Sequence, residues 1–361
     1  MSEEGIRCLL MRGGTSKGGY FLREDLPADP QARDDLLLRL FGSPDERQID
    51  GIGGGHPLTS KVAVVSRSED DPDADVDYLF LQVQVDAPVV SAGQPCGNIL
   101  AGVAPFAVER GLVTAGPETT TVRIRMVNTG ALAFATIQTP GARPRYSGGT
   151  TIAGVPFPAA PVAIRFADTA GAVCGALLPT GNVRDEIDGT PVTCVDNGMP
   201  VAVIAASSLG VTGYESGAEL EANPELRERL ERLRLRAGKL MGLGDVSTGT
   251  VPKMTLVAPA REGGTLCTRT FIPHRCHPAI GVLGAVSVAT AAGLAGSVAA
   301  EVRAEAGAQG VRKQHVGNDN GGERIRIEHP TGSFDTEIDA DGRVAVIRTA
   351  RKLFDGLAWP R

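Results

Sequence analysis

CGNILAGVAPFAV (Cys96–Val108) and CHPAIGVLGAVSV (Cys276–Val288) come from opposite halves of one chain and superimpose position for position. Counted from each cysteine, large apolar residues stand at offsets four, seven, ten and twelve: Leu100 and Ile280, Val103 and Leu283, Phe106 and Val286, Val108 and Val288. Small residues stand at offsets five and eight: Ala101 and Gly281, Ala104 and Gly284. Apolar residues at this spacing predict a helix, and a helix apolar on nearly every face belongs inside a protein. Each half is therefore expected to carry a buried helix opened by a cysteine, the second running from Pro278 to about Ala292.

The flanking segments repeat as well. In the first half, IRCLLMR (Ile6–Arg12), KVAVVSR (Lys61–Arg67) and DYLFLQVQVD (Asp77–Asp86) have the branched and aromatic composition of strands. A helix is expected between the first two, where Leu36, Leu37, Leu40 and Phe41 recur until Gly42, Ser43 and Pro44 stop the pattern. Strands resume at Thr121–Thr139, Ala160–Phe166 and Gly171–Gly181. The second half has a polar helix from about Asn223 to Gly242, with an Asn cap, a proline just inside and a charged face expected to be solvated. Strands at KMTLVAPA (Lys253–Ala260) and LCTRTFI (Leu266–Ile272) follow, and then the second cysteine stretch.

Composition excludes several classes. The 361 residues are 42% hydrophobic, enough for a large core and, by length, for two domains. With 46 glycines, 24 prolines and 4% aromatics, short strands joined by turns are favoured over an all-helical fold. A net charge of -6 with scattered basic residues argues against a nucleic-acid surface. No uncharged apolar run reaches the length of about 18 residues needed for a membrane span. Met1–Gly5 lacks the basic start and apolar stretch of a secretory signal, so a cytoplasmic location is expected. In that reducing compartment the six cysteines are thiols rather than a disulfide framework.

Several constellations suggest chemistry. A cysteine at a helix N-terminus meets unpaired N–H groups and the positive end of the helix dipole, which favour thiolate and suit Cys96 and Cys276 to acid–base work. The bland alternative is a small hydrophobe at a helix start. Cys8, Cys174, Cys194 and Cys267 lie in strand-like runs and read as packing. HRCH (His274–His277) lacks a second Cys/His pair at ligand spacing, so no metal is expected. RGGTSKGGY (Arg12–Tyr20) is not a phosphate loop, because Gly18 follows Lys17, and GIGGGH (Gly51–His56) breaks the dinucleotide pattern at His56. What remains is a strand-to-turn loop whose N–H groups, with Arg12, Thr15, Ser16 and Lys17, suit carboxylates, or else a tight turn with exposed cations. Lys61 opens a strand expected to be buried; water loss there favours a free amine able to act as base, and a lysine snorkelling at a strand end is the alternative.

LLMRGGTSKG, QIDGIGG with LTSKVA, CGNILAGV, LLPTGN, DNGMPVAV, VPKM and FIPHRCH together resemble the PrpF family of isomerases, from about Cys8 to Gly356. Within that family the likeness is greatest to the branch acting on 4-oxalomesaconate in gallate breakdown. The resemblance implies an α+β, diaminopimelate epimerase-like fold of two pseudo-symmetric domains, each a β-barrel-like sheet wrapped around a central helix, with the active site in the cleft between them. It returns the C-terminal strand VIRTARKLFDG to the first domain, giving expected bounds of 1–183 plus 347–361 and 184–346. It also implies keto–enol tautomerisation of a small unsaturated tricarboxylate with no metal or organic cofactor. By motif, Lys61 and Cys96 move the proton, and Cys276 is the symmetric candidate. Ser60, Gly97 and Asn98 stand beside them as substrate contacts, and a carboxylate clamp would draw Arg12, Thr15, Ser16 and Lys17 from one domain and Arg269, His274 and Arg275 from the other. Pro95 departs from the asparagine expected before the cysteine. Isomerisation of 2-methylaconitate or aconitate, and a non-catalytic tricarboxylate-binding accessory role, are the alternatives. Neither nucleic acid nor membrane is an expected partner; a homo-oligomer is left open.

Overall fold

The computed structural model describes residues 4–92, 96–308 and 323–361, so the Pro95 departure lies outside the described residues. The chain forms two compact units, Met1–Ala167 with Arg348–Arg361, and Asp168–Ile347. Residues 168–183, expected in the first domain, fall in the second unit, where Gly171 N–H donates to Asp196 O (2.8 Å).

The first unit contains β1 (Ile6–Gly13), β2 (Ser16–Leu22), α1 (Pro30–Phe41), β3 (Lys61–Arg67), β4 (Val76–Val83) and the two-residue β5 (Val90–Ser91). It continues with α2 (Gly97–Leu100), α3 (Val103–Glu109), β6 (Thr119–Met126), β7 (Leu132–Gln138) and β8 (Pro161–Phe166). Its sheet runs β1-β2-β3-β4-β6-β7-β8-β16, and β16 (Val344–Ala358) returns to β1, with Ile6 opposite Ala358 and Gly13 opposite Ala350. The ring therefore closes into a barrel, as the resemblance implied. Ile99, Leu100, Val103, Ala104, Phe106 and Ala107 of α2 and α3 fill its interior together with Leu9, Tyr20, Ala63, Val65 and Phe80. Strand alternation sends the intervening Phe21, Val62 and Val64 outward against Leu36, Leu37, Leu40 and Phe41 of α1.

The second unit has β9 (Asp185–Ile187), β10 (Thr190–Asp196), β11 (Pro200–Ala205), α4 (Gly217–Glu221), α5 (Pro224–Leu240), β12 (Lys253–Pro259) and β13 (Leu266–Phe271). α6 (Val282–Gly293), α7 (Val298–Ala308), β14 (Glu323–His329), β15 (Gly332–Ile338) and the start of β16 complete it. From β9 to β16 the pairings run antiparallel, antiparallel, parallel, antiparallel, parallel, antiparallel, antiparallel. Starting from β16 and β1, the first unit gives the same order for the pairings whose register is described. A parallel pair cannot be joined by a hairpin and needs a crossover, usually helical. Hence α1 and α5 stand between β2/β3 and β11/β12, while α2–α3 and α6–α7 stand between β4/β6 and β13/β14.

Both cysteine stretches depart from the expected single helix. After Cys96 the helix breaks at Ala101–Gly102, because Pro105 has no N–H to offer the Ala101 carbonyl and Gly102 lies against Tyr20, whose Oη would be 2.3 Å from an added Cβ. After Cys276 no helix begins for five residues: Pro278 disfavours helical backbone at His277, and α6 starts only after its cap Gly281. The charged face of α5 is also not uniformly solvated. Arg234 is fully buried; its Nη1 donates to the carbonyls of Val246, Gly249 and Val251 (2.9, 3.2 and 3.2 Å), and its Nε and Nη2 pair with Glu231 (both 2.7 Å). It thereby anchors the loop that delivers β12. Among the described residues no single helix is long and apolar enough to cross a membrane.

Replacing Arg234 by Met strips these carbonyls and Glu231 of their partner and is expected to lower the unfolding free energy by about 3 kcal/mol. Arg232→Met, at a half-exposed residue with ion-pair contacts of 3.6 Å, should change it by less than about 0.5 kcal/mol. Denaturant melts of the two variants check the contrast.

Candidate active site

Lys61, the first residue of β3, shares the barrel-interior face with Ala63 and Val65 and is 7% exposed. Its ammonium donates to Gln82 Oε1 (2.6 Å) and lies 5.1 Å from the centre of the Phe80 ring. Gln82 Nε2 in turn donates to the carbonyls of Pro57, Ser60 and Val83 (3.1, 3.0 and 3.2 Å). Three acceptors around one nitrogen fix the amide so that its oxygen faces the lysine. Among the described residues no carboxylate lies within ion-pair distance of Lys61. Gly18 is required beside it: a Cβ there would lie 2.3 Å from Lys61 O, across the parallel β2–β3 pair.

Cys96 is the N-cap of α2, half-buried, and packs against the same interior core. Tyr78 Oη donates to Cys96 O (3.3 Å) and Tyr20 Oη to Ile99 O (2.6 Å), tying α2 to the barrel wall. Burial holds both phenols well above their ordinary range, so they stay donors. Asn98 Nδ2 donates to Thr15 Oγ1 (3.0 Å), and the approach is so close that a Cβ on Gly13 would lie 2.5 Å from Asn98 O, and one on Gly14, whose φ is +53°, 2.2 Å from Asn98 Oδ1. Gly13 and Gly14 thus serve contact with α2 as well as the turn. Ser16, two residues before Gly18 and on its face, is 1% exposed, and its hydroxyl is buried without a protein partner.

The other sequence-selected residues of this unit are placed differently. Alternation turns Arg12 and Lys17, opposite each other in the β1–β2 register, to the face away from Ser16 and Lys61. Arg12 Nη1 donates to Gly14 O (2.7 Å) and to Thr349 O and Oγ1 (both 3.0 Å), while its Nη2 is buried without a partner. Ser60 is fully buried; its hydroxyl lies 2.6 Å from Gln48 Oε1 and 3.0 Å from His56 O, holding the loop before β3. Thr15 is exposed, and Gly97 is the first residue of α2.

In the second unit, Cys276 bridges Phe271 and packs on the α5 side of the sheet, with its N–H donating to Glu221 Oε1 (2.9 Å). The expected helix-start stabilisation of its thiolate is reversed. Burial pushes the thiol up; Arg269 opposes that and Glu221 adds to it. Arg269 is 7% exposed and its donors are occupied by Glu215 O, Thr268 O, Tyr214 O and Cys267 Sγ (2.7, 2.9, 3.1 and 3.3 Å). His274 is exposed, 3.7 Å from Glu231, and Arg275 is exposed on the tight turn that Ile272 N–H closes on its carbonyl (2.8 Å). Among the described residues no three His, Cys, Asp or Glu side chains gather as a metal would require. Burial pushes Cys8 and Cys194 up to about 12, in keeping with inert packing.

Two residues escaped sequence reasoning. Gln82 ends a face that runs Tyr78, Phe80, Gln82, so a polar side chain at a core position of DYLFLQVQVD was the available signal. Lys253 opens β12 as Lys61 opens β3; KMTLV beside KVAVV was its signal.

The family model described as PrpF protein matches residues 4–359. The chain is 57% identical over 357 residues to the (4E)-oxalomesaconate Delta-isomerase of Novosphingobium sp., covering 98% of this chain and 96% of that protein. It is 55% identical over 363 residues to the 4-oxalomesaconate tautomerase of Pseudomonas putida, covering 99% and 96%. Among solved structures, that of a methylitaconate-delta-isomerase superimposes with a TM-score of 0.84 at 34% identity, over 99% of this chain and 96% of that one.

Gln82→Met removes the acceptor of Lys61 and the donor to three carbonyls. It is expected to cost about 1–3 kcal/mol of stability, the penalty of unsatisfied buried polar groups. Urea denaturation measures it, and wild-type stability would contradict the anchoring role.

Proposed function

This chain belongs to the PrpF family, and on that premise we propose that it is an isomerase that interconverts the keto and enol forms of 4-oxalomesaconate by an allylic proton shift, in the breakdown of gallate-type aromatic acids. The observation that carries the proposal is Lys61: a buried amine held by a neutral amide, on one face of the first unit with a thiol at the N-cap position of α2 and a buried hydroxyl that lacks a partner. The identities of 57% and 55% to proteins named for oxalomesaconate support the substrate. Likeness to a methylitaconate isomerase supports the same class of proton transfer on a smaller unsaturated acid.

The chemistry follows from these parts. Removing a proton beside a carbonyl, or along an allylic system, leaves a dienolate whose charge must be stabilised while a proton returns to another atom. Lys61, as free amine, takes the proton from the substrate. The Cys96 thiol supplies the one that quenches the far end, and the amine and thiolate then exchange protons with water to reset. Gln82 holds the amine in place throughout, and the Ser16 hydroxyl is free to donate to a substrate oxygen. Of the expected substrate contacts Ser16 is favoured, because its buried hydroxyl has no protein partner, whereas Arg12 and Lys17 face away and the donors of Arg269 are taken by protein acceptors.

Lys61→Met keeps the length and apolar stem of the side chain while deleting the amine. With purified enzyme and 4-oxalomesaconate, turnover should fall by about 10²-fold or more, the range of a general base, with the fold intact by circular dichroism. Cys96→Ala should fall comparably, and wild-type turnover in either folded variant contradicts its role. Exhaustive EDTA or phenanthroline dialysis should leave turnover unchanged; loss restored by one equivalent of a metal would overturn the side-chain mechanism.

A further inference from the structure

The repeated pairing order sets Lys253 at the head of β12 as it sets Lys61 at the head of β3. Along β12, Met254 and Leu256 face the cluster built on α5, so Lys253 and Thr255 face the other side of the sheet. His277 reaches the same side and the same end. Its N–H donates to Thr270 O (2.7 Å), Thr270 is the ladder partner of Thr255, and the preceding residue, Cys276, occupies the α5 side.

Both side chains are donors without acceptors. Lys61 has Gln82 across the ladder, whereas the residue that follows Phe271, the partner of Met254, is the apolar Ile272. Among the described residues no acceptor or carboxylate bonds the Lys253 ammonium. His277 Nδ1 accepts from Ala279 N–H (2.8 Å), which leaves the proton of the neutral ring on Nε2, again without an acceptor among the described residues. The charged neighbour on α5, Arg234, is already paired with Glu231. Burial, then Arg234, pushes the Lys253 ammonium below the ordinary lysine range; burial, then Lys253, lowers His277, so the imidazole senses the ammonium. A half-buried cation beside a neutral N–H donor, both reaching solvent and neither paired with a protein acceptor among the described residues, forms a ready-made two-donor site that a bound carboxylate would complete.

We propose that Lys253 and His277 bind one carboxylate of a small polycarboxylic acid, the ammonium as ion-pair partner and the imidazole Nε2–H as neutral hydrogen-bond donor. One negative charge with two acceptor oxygens matches one positive and one neutral donor. Only the choice of a tricarboxylic probe rests on the isomerase assignment.

The probe is tricarballylate, added to the full chain while the His277 ring resonances are followed by NMR and the heat of binding by calorimetry. Saturable movement of the His277 resonances is expected. Lys253→Met and His277→Leu should each raise the dissociation constant at least about tenfold, as loss of a charge-assisted contact does, whereas Lys253→Arg should stay within about threefold. Unchanged affinity in both deletions, or His277 resonances that stay put at saturation, overturns the proposal. Should Lys253→Met fail to fold, the wild-type His277 titration decides alone. Because binding is read and not turnover, an enzyme that isomerises while His277 stays unmoved sinks this proposal only, and a protein that binds without isomerising sinks only the other.

Discussion

Parallel pairing of β2 with β3 and of β4 with β6 is the constraint from which the rest of the first unit follows. A parallel pair demands a crossover, and the two crossovers have opposite destinations. One, α1, covers the outside of the sheet with Leu36, Leu37, Leu40 and Phe41; the other, α2–α3, fills the ring with residues that are wholly buried. The inward crossover brings Cys96 against the interior core and Asn98 against the β1–β2 turn, and the parallel β2–β3 contact puts Lys61 beside Gly18 on the interior side. Site and core are thus consequences of one topology, repeated in β9 to β16 with α5 and α6–α7 as its crossovers.

Much of this was legible in the residues. Short apolar strands, the α1 pattern ending at Gly42, the Asn223 cap of α5 and the repeated cysteine stretch all have local causes, and local causes are written in local sequence. The expectations failed where periodicity was followed past a proline or where a distant contact decided the outcome. Apolar spacing alone does not register that Gly102 meets Tyr20 or that Pro105 has no N–H for the Ala101 carbonyl, so one long helix was expected where two short ones stand. Likewise the matching offsets after Cys96 and Cys276 hide the effect of Pro278, after which the chain stays non-helical as far as Gly281. Nor can sequence say that Arg269 gives its donors to three backbone carbonyls and Cys267 Sγ, or that Arg12 and Ser16 lie on opposite faces of one hairpin.

Glutamine at a core position is the more informative polar residue. Gln82 joins the loop before β3 to the lysine that begins it, so the amine is oriented by a neutral group whose other end is fixed by three carbonyls. A carboxylate in that place would bind the ammonium form tightly, whereas an amide holds the nitrogen in position without an opposing charge. Tyr78 and Tyr20 tie down α2 by hydrogen bonds to its backbone, so the amine and the thiol both stand on elements held in place, as the proposed proton transfer would need.

Position-resolved deuterium incorporation tests the central claim most directly. 4-Oxalomesaconate is incubated with the wild-type enzyme in D2O, and each carbon of substrate and product is followed by proton NMR. The account predicts that solvent deuterium enters the keto form at the carbon between its carbonyl and its double bond as the two forms interconvert, and that Lys61→Met protein introduces none. Exchange at the wild-type rate in Lys61→Met protein, or no exchange and no conversion by the wild type, would contradict it.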